Sequence, residues 1–299
     1  MTSAIQTDTL VKQFRRVNAV QGLTLNVPLG SVYALVGPNG AGKTTAIKIL
    51  MNIIRATSGH AEVLGVDCAR IRGRYFESIG YVSENQEMPG WMTVGTLLNY
   101  LRPFYPAWDA DLEADLVRQF NLLCDRKLRH LSRGMRMKAA LASSLAYHPK
   151  LIVLDEPFTG LDPLVRDELI QGLLDRVEES TIFVSSHDLA EIETFASHVA
   201  YIEEGKLRFA EELGSLASRF REVELTFESP PVVPQRKPEN WLQLSASAAV
   251  VQFTDCRFDS DRTTADIRSI FGEPQNVTFS PMSLRSIFLA MAKSGRNSD

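Results

Sequence analysis

The chain has 299 residues, 44% of them apolar, a formal net charge of −4 and three scattered cysteines, Cys68, Cys124 and Cys256. That length can bury one large domain plus a smaller one, and the mild acidity argues against a nucleic-acid partner, whose footprint is a basic face. The cysteines lack disulfide or zinc spacing, the opening MTSAIQTDTL lacks a secretory pattern, and no run reaches the roughly eighteen apolar residues of a membrane helix.

These features lead us to expect a cytoplasmic chain whose membrane role comes through a partner. Ile5 to Phe14 and Leu23 to Pro28 alternate loosely and read as strands of a small antiparallel sheet. Val32 to Val36 is a short apolar run between Gly30 and Gly37, as a buried parallel strand requires. A helix is expected over Ala46 to Ile54, and a mostly helical stretch over Trp91 to Tyr147, interrupted at Pro103 and Pro106. Leu151 to Leu154 and Thr181 to Ser185 read as further buried strands, separated by a helical stripe of Val165, Leu169, Leu173 and Val177 behind Pro163. Tyr201 to Lys206 resembles a hairpin turn. Strands alternating with helices imply an α/β core with a mainly parallel sheet.

Composition changes at the proline-rich stretch Ser229 to Pro238. Beyond it we expect a strand over Ala248 to Phe253, a helix near Thr264 to Phe271, and a final amphipathic helix carrying Leu284, Ile287, Phe288 and Met291. The expected organisation is a domain over 1–228 with a helical subdomain at about 88–148, a linker at 229–239 and a small α+β accessory domain at 240–299.

Gly37-Pro38-Asn39-Gly40-Ala41-Gly42-Lys43-Thr44-Thr45 fits the phosphate-loop pattern and lies between an expected strand and helix. Its glycines let backbone N–H groups converge on phosphate oxygens at a helix N-terminus. In that pattern Lys43 reaches the β- and γ-phosphates and the Thr44 hydroxyl binds Mg²⁺. Leu151-Ile152-Val153-Leu154-Asp155-Glu156 adds a doubly buried strand ending in two acids. Asp155 can hold Mg²⁺ through water, and Glu156 can act as the general base for the attacking water.

Over roughly residues 4 to 215 the sequence resembles the ATP-binding cassette (ABC) ATPases, most like the stand-alone ATPases of bacterial exporters. The resemblance rests on motifs in the family's order. Phe14 falls where the family places an aromatic that stacks on adenine, although a buried strand residue is the alternative. Leu131-Ser132-Arg133-Gly134-Met135 stands in place of the signature L-S-G-G-Q, which faces the nucleotide of a second subunit. Ser132 and Gly134 are retained, whereas Arg133 replaces glycine, where it can add charge near the phosphates. Thr159-Gly160-Leu161-Asp162 matches the D-loop, and Ser185-Ser186-His187 carries the histidine that contacts the γ-phosphate. Glu84 stands where the family has a metal-contacting glutamine, with Gln86 the alternative through a shifted loop. Met88 to Met92 reads either as a partner surface or as a loop tucked into the helical subdomain.

The resemblance implies a P-loop fold with ATP and Mg²⁺ as ligands and ATP hydrolysis as the activity. It also implies a homodimer, or pairing with a related ATPase subunit, and a separate transmembrane permease holding the pair at the inner face of the membrane. The alternative is a soluble ABC ATPase of translation or DNA repair. It fits poorly, because the chain has one cassette and no heptad insertion.

Overall fold

Two long strands with alternating apolar positions open the chain and pair antiparallel, β1 (Ser3–Phe14) and β2 (Val17–Pro28). The computed structural model describes residues 3–177, 179–232 and 237–295. Contacts divide the chain into two units, residues 1–210 and 211–299.

In the first unit β2 leads to β3 (Val32–Val36), buried at every position, and then to α1 (Lys43–Leu50). The helix starts earlier than the apolar pattern suggests, because Gly42 in the left-handed region (φ 106°) turns the phosphate loop directly into it. Next come β4 (Ser58–Val63) and β5 (Val66–Asp67), which complete a sheet ordered β2-β1-β4-β5. Then β6 (Ile79–Ser83), unexpected from sequence, precedes α2 (Val94–Leu101), α3 (Ala110–Gln119) and α4 (Arg133–Leu145).

This helical stretch is more broken than its periodicity suggests. Pro103 lies in a short 3₁₀ turn, Arg102–Phe104, since its ring cannot continue α2. Most of residues 120 to 132 is turn or 3₁₀ structure. The unit continues through β7 (Leu151–Asp155), α5 (Pro163–Leu174), β8 (Thr181–Ser186), α6 (Leu189–Glu193), β9 (His198–Glu203) and β10 (Lys206–Glu212).

The main sheet has the order β10-β9-β3-β8-β7-β6. The pairs β3–β8, β3–β9, β7–β8 and β6–β7 are all parallel. Glu204 and Gly205 both take positive φ, the turn chemistry that a two-residue hairpin demands. One core joins the two sheets, with Ile47 and Leu50 of α1 packed among Leu10, Leu23, Val153 and Phe183.

The second unit corrects the expected boundary. It comprises α7 (Leu213–Arg219), β11 (Arg221–Thr226), β12 (Trp241–Ser247), β13 (Val250–Asp255), α8 (Ser260–Phe271), β14 (Asn276–Pro281) and α9 (Leu284–Gly295). Its sheet runs β12-β13-β11-β14, so β11 is an inner strand although it precedes the prolines. The proline-rich stretch therefore lies within this unit, and its residues 233–236 fall outside those described. Val223, Leu225, Trp241, Val251, Phe253 and Ile267 form its core. Among the described residues no helix is long and apolar enough to cross a membrane.

Candidate nucleotide site

The carboxyl ends of four parallel strands meet at one edge of the main sheet. Val36 pairs with Ser186, Asp155 with Ser185, and Ser83 with Asp155. That register gathers the phosphate loop after β3, the acid pair at the end of β7, His187 after β8 and Glu84 after β6. Ligands in open parallel sheets bind outside such strand ends. A cleft of ≈ 710 Å³ opens there, lined by Gly40 to Thr45 and also by Glu84, Glu156 and His187.

Lys43 is buried and donates to the carbonyls of Gly37 (2.6 Å) and Pro38 (3.1 Å), so its ammonium is fixed inside the loop. Its third partner is Glu156 Oε1 at 3.0 Å. The Thr44 hydroxyl donates to Asp155 Oδ1 at 2.9 Å, which places two hard oxygen ligands side by side. Ser185 Oγ also donates to Asp155 Oδ1, at 2.8 Å, and accepts from the Glu156 N–H at 3.0 Å. Burial pushes the Asp155 carboxyl up, only partly offset by Ser185 and Thr44.

Glu156 takes φ 51°, a left-handed conformation that costs a non-glycine residue about 1–3 kcal/mol. Strain of this kind concentrates at functional sites, and here it accompanies a carboxylate held by three side chains. His187 Nδ1 lies 2.7 Å from Oε2, Thr159 Oγ1 donates to Oε2 at 3.1 Å, and Lys43 holds Oε1. Burial alone would raise the Glu156 carboxyl, but the His187 and Lys43 contacts and Thr159 together hold it below its usual value. It is a charged carboxylate with an imidazole at its side.

The signature segment forms the N-terminus of α4. Ser132 caps that helix by accepting from the Met135 N–H at 3.2 Å, which leaves its hydroxyl proton available to an anion. Gly134 is buried against Val165 of α5. Asp162 caps α5 by accepting from the Val165 N–H at 3.1 Å.

Three of the residues singled out from sequence make contacts that the sequence does not show. Arg133 forms an ion pair within its own chain. Its guanidinium binds Glu84 of its own chain, with Nη2 2.7 Å from Oε1. Glu84 is thereby engaged by a cation, and it still faces the cleft. Phe14 is 45% exposed, not a buried strand residue, and carries the Lys12 ammonium 4.9 Å above its ring. The cleft wall near it comes from Val17, Asn18, Ala19 and Gln21, none of which the sequence pattern singles out. Trp91, at 68% exposure, is the clearest apolar side chain of the 88–92 loop facing outward.

Ser185 and Thr159 are the supporting residues that sequence reasoning did not assign a role. The available signal was a hydroxyl closing an otherwise apolar strand beside a buried acid.

A mainly parallel sheet with a phosphate loop and an acid pair at its strand ends defines a P-loop nucleoside triphosphatase. Comparison with known proteins agrees and narrows it. The family profile described as ABC transporter matches residues 20–159. The daunorubicin/doxorubicin resistance ATP-binding protein DrrA of Streptomyces peucetius is 30% identical, over 97% of this chain and 92% of its own. The bacitracin transport ATP-binding protein BcrA of Bacillus licheniformis is 33% identical over 69% of each chain. A solved ATP-binding subunit of an ABC transporter aligns with a TM-score of 0.66 at 25% identity, covering 72% of this chain and 92% of that one. The chain belongs to the ABC transporter ATP-binding proteins, and is an ATP-binding, ATP-hydrolysing subunit of such a transporter.

Proposed function

We propose that the chain hydrolyses MgATP to drive export through a separate transmembrane permease, as one of two ATPase subunits closing on two nucleotides. The observation that carries this reading is the convergence of Lys43, Thr44, Asp155, Glu156 and His187 at one sheet edge. In this reading Pro38, Asn39, Gly40, Ala41 and Thr45 complete the loop around the phosphates with Gly37 and Gly42. Thr44 and Asp155 supply oxygen ligands of the kind Mg²⁺ prefers, so the donor set fits the ion. When bound there, Mg²⁺ neutralises charge on the phosphate oxygens. Glu156 accepts the proton of the attacking water, and His187 holds the Glu156 carboxylate in place. Ser132 and the free N–H groups of the α4 start serve the nucleotide of the opposite subunit, with Asp162 near that junction.

Export is supported by the relative from Streptomyces peucetius, which is named for daunorubicin/doxorubicin resistance and whose match extends through the second unit. The partner subunit is a second copy or a related ATPase. The pair would sit on the cytoplasmic face of the membrane through the permease.

The shared site is tested by mixing chains. Lys43→Ala and Ser132→Arg should each lower ATPase activity by roughly 10²-fold or more. Mixed dimers contain one intact composite site, so activity should exceed the sum of the separate variants. Activity no greater than that sum, in a sample shown to contain mixed dimers, would rule out a site shared between chains. Fractionation tests the partner: the chain should sediment with membranes and co-purify with a polytopic protein after detergent extraction. Recovery with ribosomes or DNA instead would favour the soluble alternative.

A further inference from the structure

Two departures from the ABC pattern, Glu84 for glutamine and Arg133 for glycine, are 49 positions apart in sequence and 2.7 Å apart in space. The contact is built on both sides. Glu84 follows β6 directly, and its N–H donates to the Asp155 carbonyl at 2.8 Å, so the residue is anchored beside the acid pair. Arg133 is the first residue of α4, and its guanidinium lies across Gly160. A Cβ built on Gly160 would meet Nη1 at 3.2 Å and Cζ at 3.5 Å. The missing side chain at Gly160 thus makes room for the guanidinium above the loop that follows Glu156.

Glu84 shares the cleft with Lys43 and Glu156. An uncompensated carboxylate at that wall would repel a polyphosphate, and an adjacent guanidinium cancels most of its charge. We propose that Arg133 is the counter-charge of Glu84 within its own chain, so that the Glu84 carboxylate at the cleft wall is neutralised by the guanidinium rather than by a bound metal. The two substitutions then compensate each other, and neither needs a partner in the opposite subunit. The inference rests on the cleft being the nucleotide site.

The test is a double-substitution cycle on the full chain, reading KM and kcat for hydrolysis, the Kd of MgATP and the melting temperature of every variant. Arg133→Ala should raise KM and Kd roughly 3–10-fold, as an exposed charge left unpaired near phosphates does, with kcat within about twofold. The increase should shrink as salt is added, because the repulsion is screened. Arg133→Ala combined with Glu84→Gln should return KM and Kd to within about twofold of the wild type, since the charge that needed cancelling is gone. Arg133→Lys should fall between, keeping the charge without the planar fork.

A defect that persists in the double variant overturns the inference, because Arg133 would then act on the nucleotide itself. So does an Arg133→Ala chain with unchanged KM and Kd. A wild-type chain with no measurable MgATP affinity removes the nucleotide site instead, a failure visible before any variant is compared.

Discussion

Lys43 and Glu156 form a buried ion pair, Nζ to Oε1 at 3.0 Å, although one belongs to the phosphate loop and the other to the end of the acid strand. Each residue thereby satisfies the other's charge where neither has solvent to do so. A phosphate entering the loop competes with Glu156 for the same ammonium. If Glu156 is the base proposed above, nucleotide binding and its release are coupled through one side chain.

Glu156→Gln separates the two consequences. The amide keeps the shape but loses both the charge that competes for Lys43 and the proton acceptor. MgATP affinity should rise by a few-fold, about 3–10 times, while turnover falls by roughly 10²–10⁴. Fluorescent-nucleotide titration and single-turnover hydrolysis measure the two. Weaker binding in the variant would show that the pair does not compete with nucleotide, and full turnover would remove Glu156 as the base.

The two neighbouring acids should titrate in different pH ranges. The carboxyl of Asp155 is raised by burial, whereas that of Glu156 is lowered by His187, Lys43 and Thr159 against the cost of burial. On acidification Asp155 loses its charge first, so the Mg²⁺-dependent part of ATP affinity should fall while Glu156 is still ionised. For stability the signs also differ. The Glu156 contribution is present above its unfolded value and disappears as pH drops through the lowered folded one, whereas protonating Asp155 relieves a cost.

Ser185→Ala tests this ordering. The Ser185 hydroxyl bond at 2.8 Å is one of the contacts that keeps Asp155 from rising further. Losing it should move the pH midpoint of Mg²⁺-dependent binding upward. Titrations between about pH 4 and 7 would reveal the shift. A midpoint that stays in place or moves down would mean that the hydroxyl does not tune the acid.

Packing behind the signature gives a stability prediction. A Cβ on Gly134 would lie 2.8 Å from Val165 Cγ1, closer than side-chain carbons approach. Alanine normally gains about 1 kcal/mol over glycine inside a helix, but here the overlap should outweigh that gain. Gly134→Ala should destabilise the chain by about 1–3 kcal/mol, and Val165→Ala in the same chain should recover most of it. Denaturant unfolding of the wild type, the two single variants and the double variant would decide. A Gly134→Ala chain as stable as the wild type would mean that α5 gives way without cost.

The parts of the site legible in sequence were those with a strong local pattern. Val32 to Val36 and Leu151 to Asp155 are apolar runs closed by a glycine loop and an acid pair, so the strand and its chemistry announce each other. β6 was less visible. Gly80 interrupts its short run, and the structural reason for the glycine is the Ser144 carbonyl, which a Cβ would meet at 2.9 Å. The Arg133–Glu84 pair was invisible for a different reason. Each residue reads locally as a defect in its own motif, and only the fold brings the two together.

The domain boundary illustrates the same point and can be tested directly. Four prolines made Ser229 to Pro238 look like a linker, since proline marks the end of regular structure. The sequence before it, Arg221 to Thr226, alternates charged or polar residues with Val223 and Leu225, the period of a half-buried strand. In the structure this strand pairs with both β13 and β14, and Val223 and Leu225 are fully buried against Trp241, Phe253 and Ile267. A fragment of residues 229–299 would remove an inner strand, leaving β13 and β14 without their shared partner and the core open. A fragment of residues 211–299 keeps all four strands. The longer fragment should unfold cooperatively on heating and give a dispersed amide spectrum, and the shorter one should do neither. Within the longer fragment Leu225→Ala should cost about 2–5 kcal/mol, as removing a fully buried leucine side chain does. Cooperative folding of residues 229–299 alone would show that β11 is dispensable and would restore the boundary to the prolines.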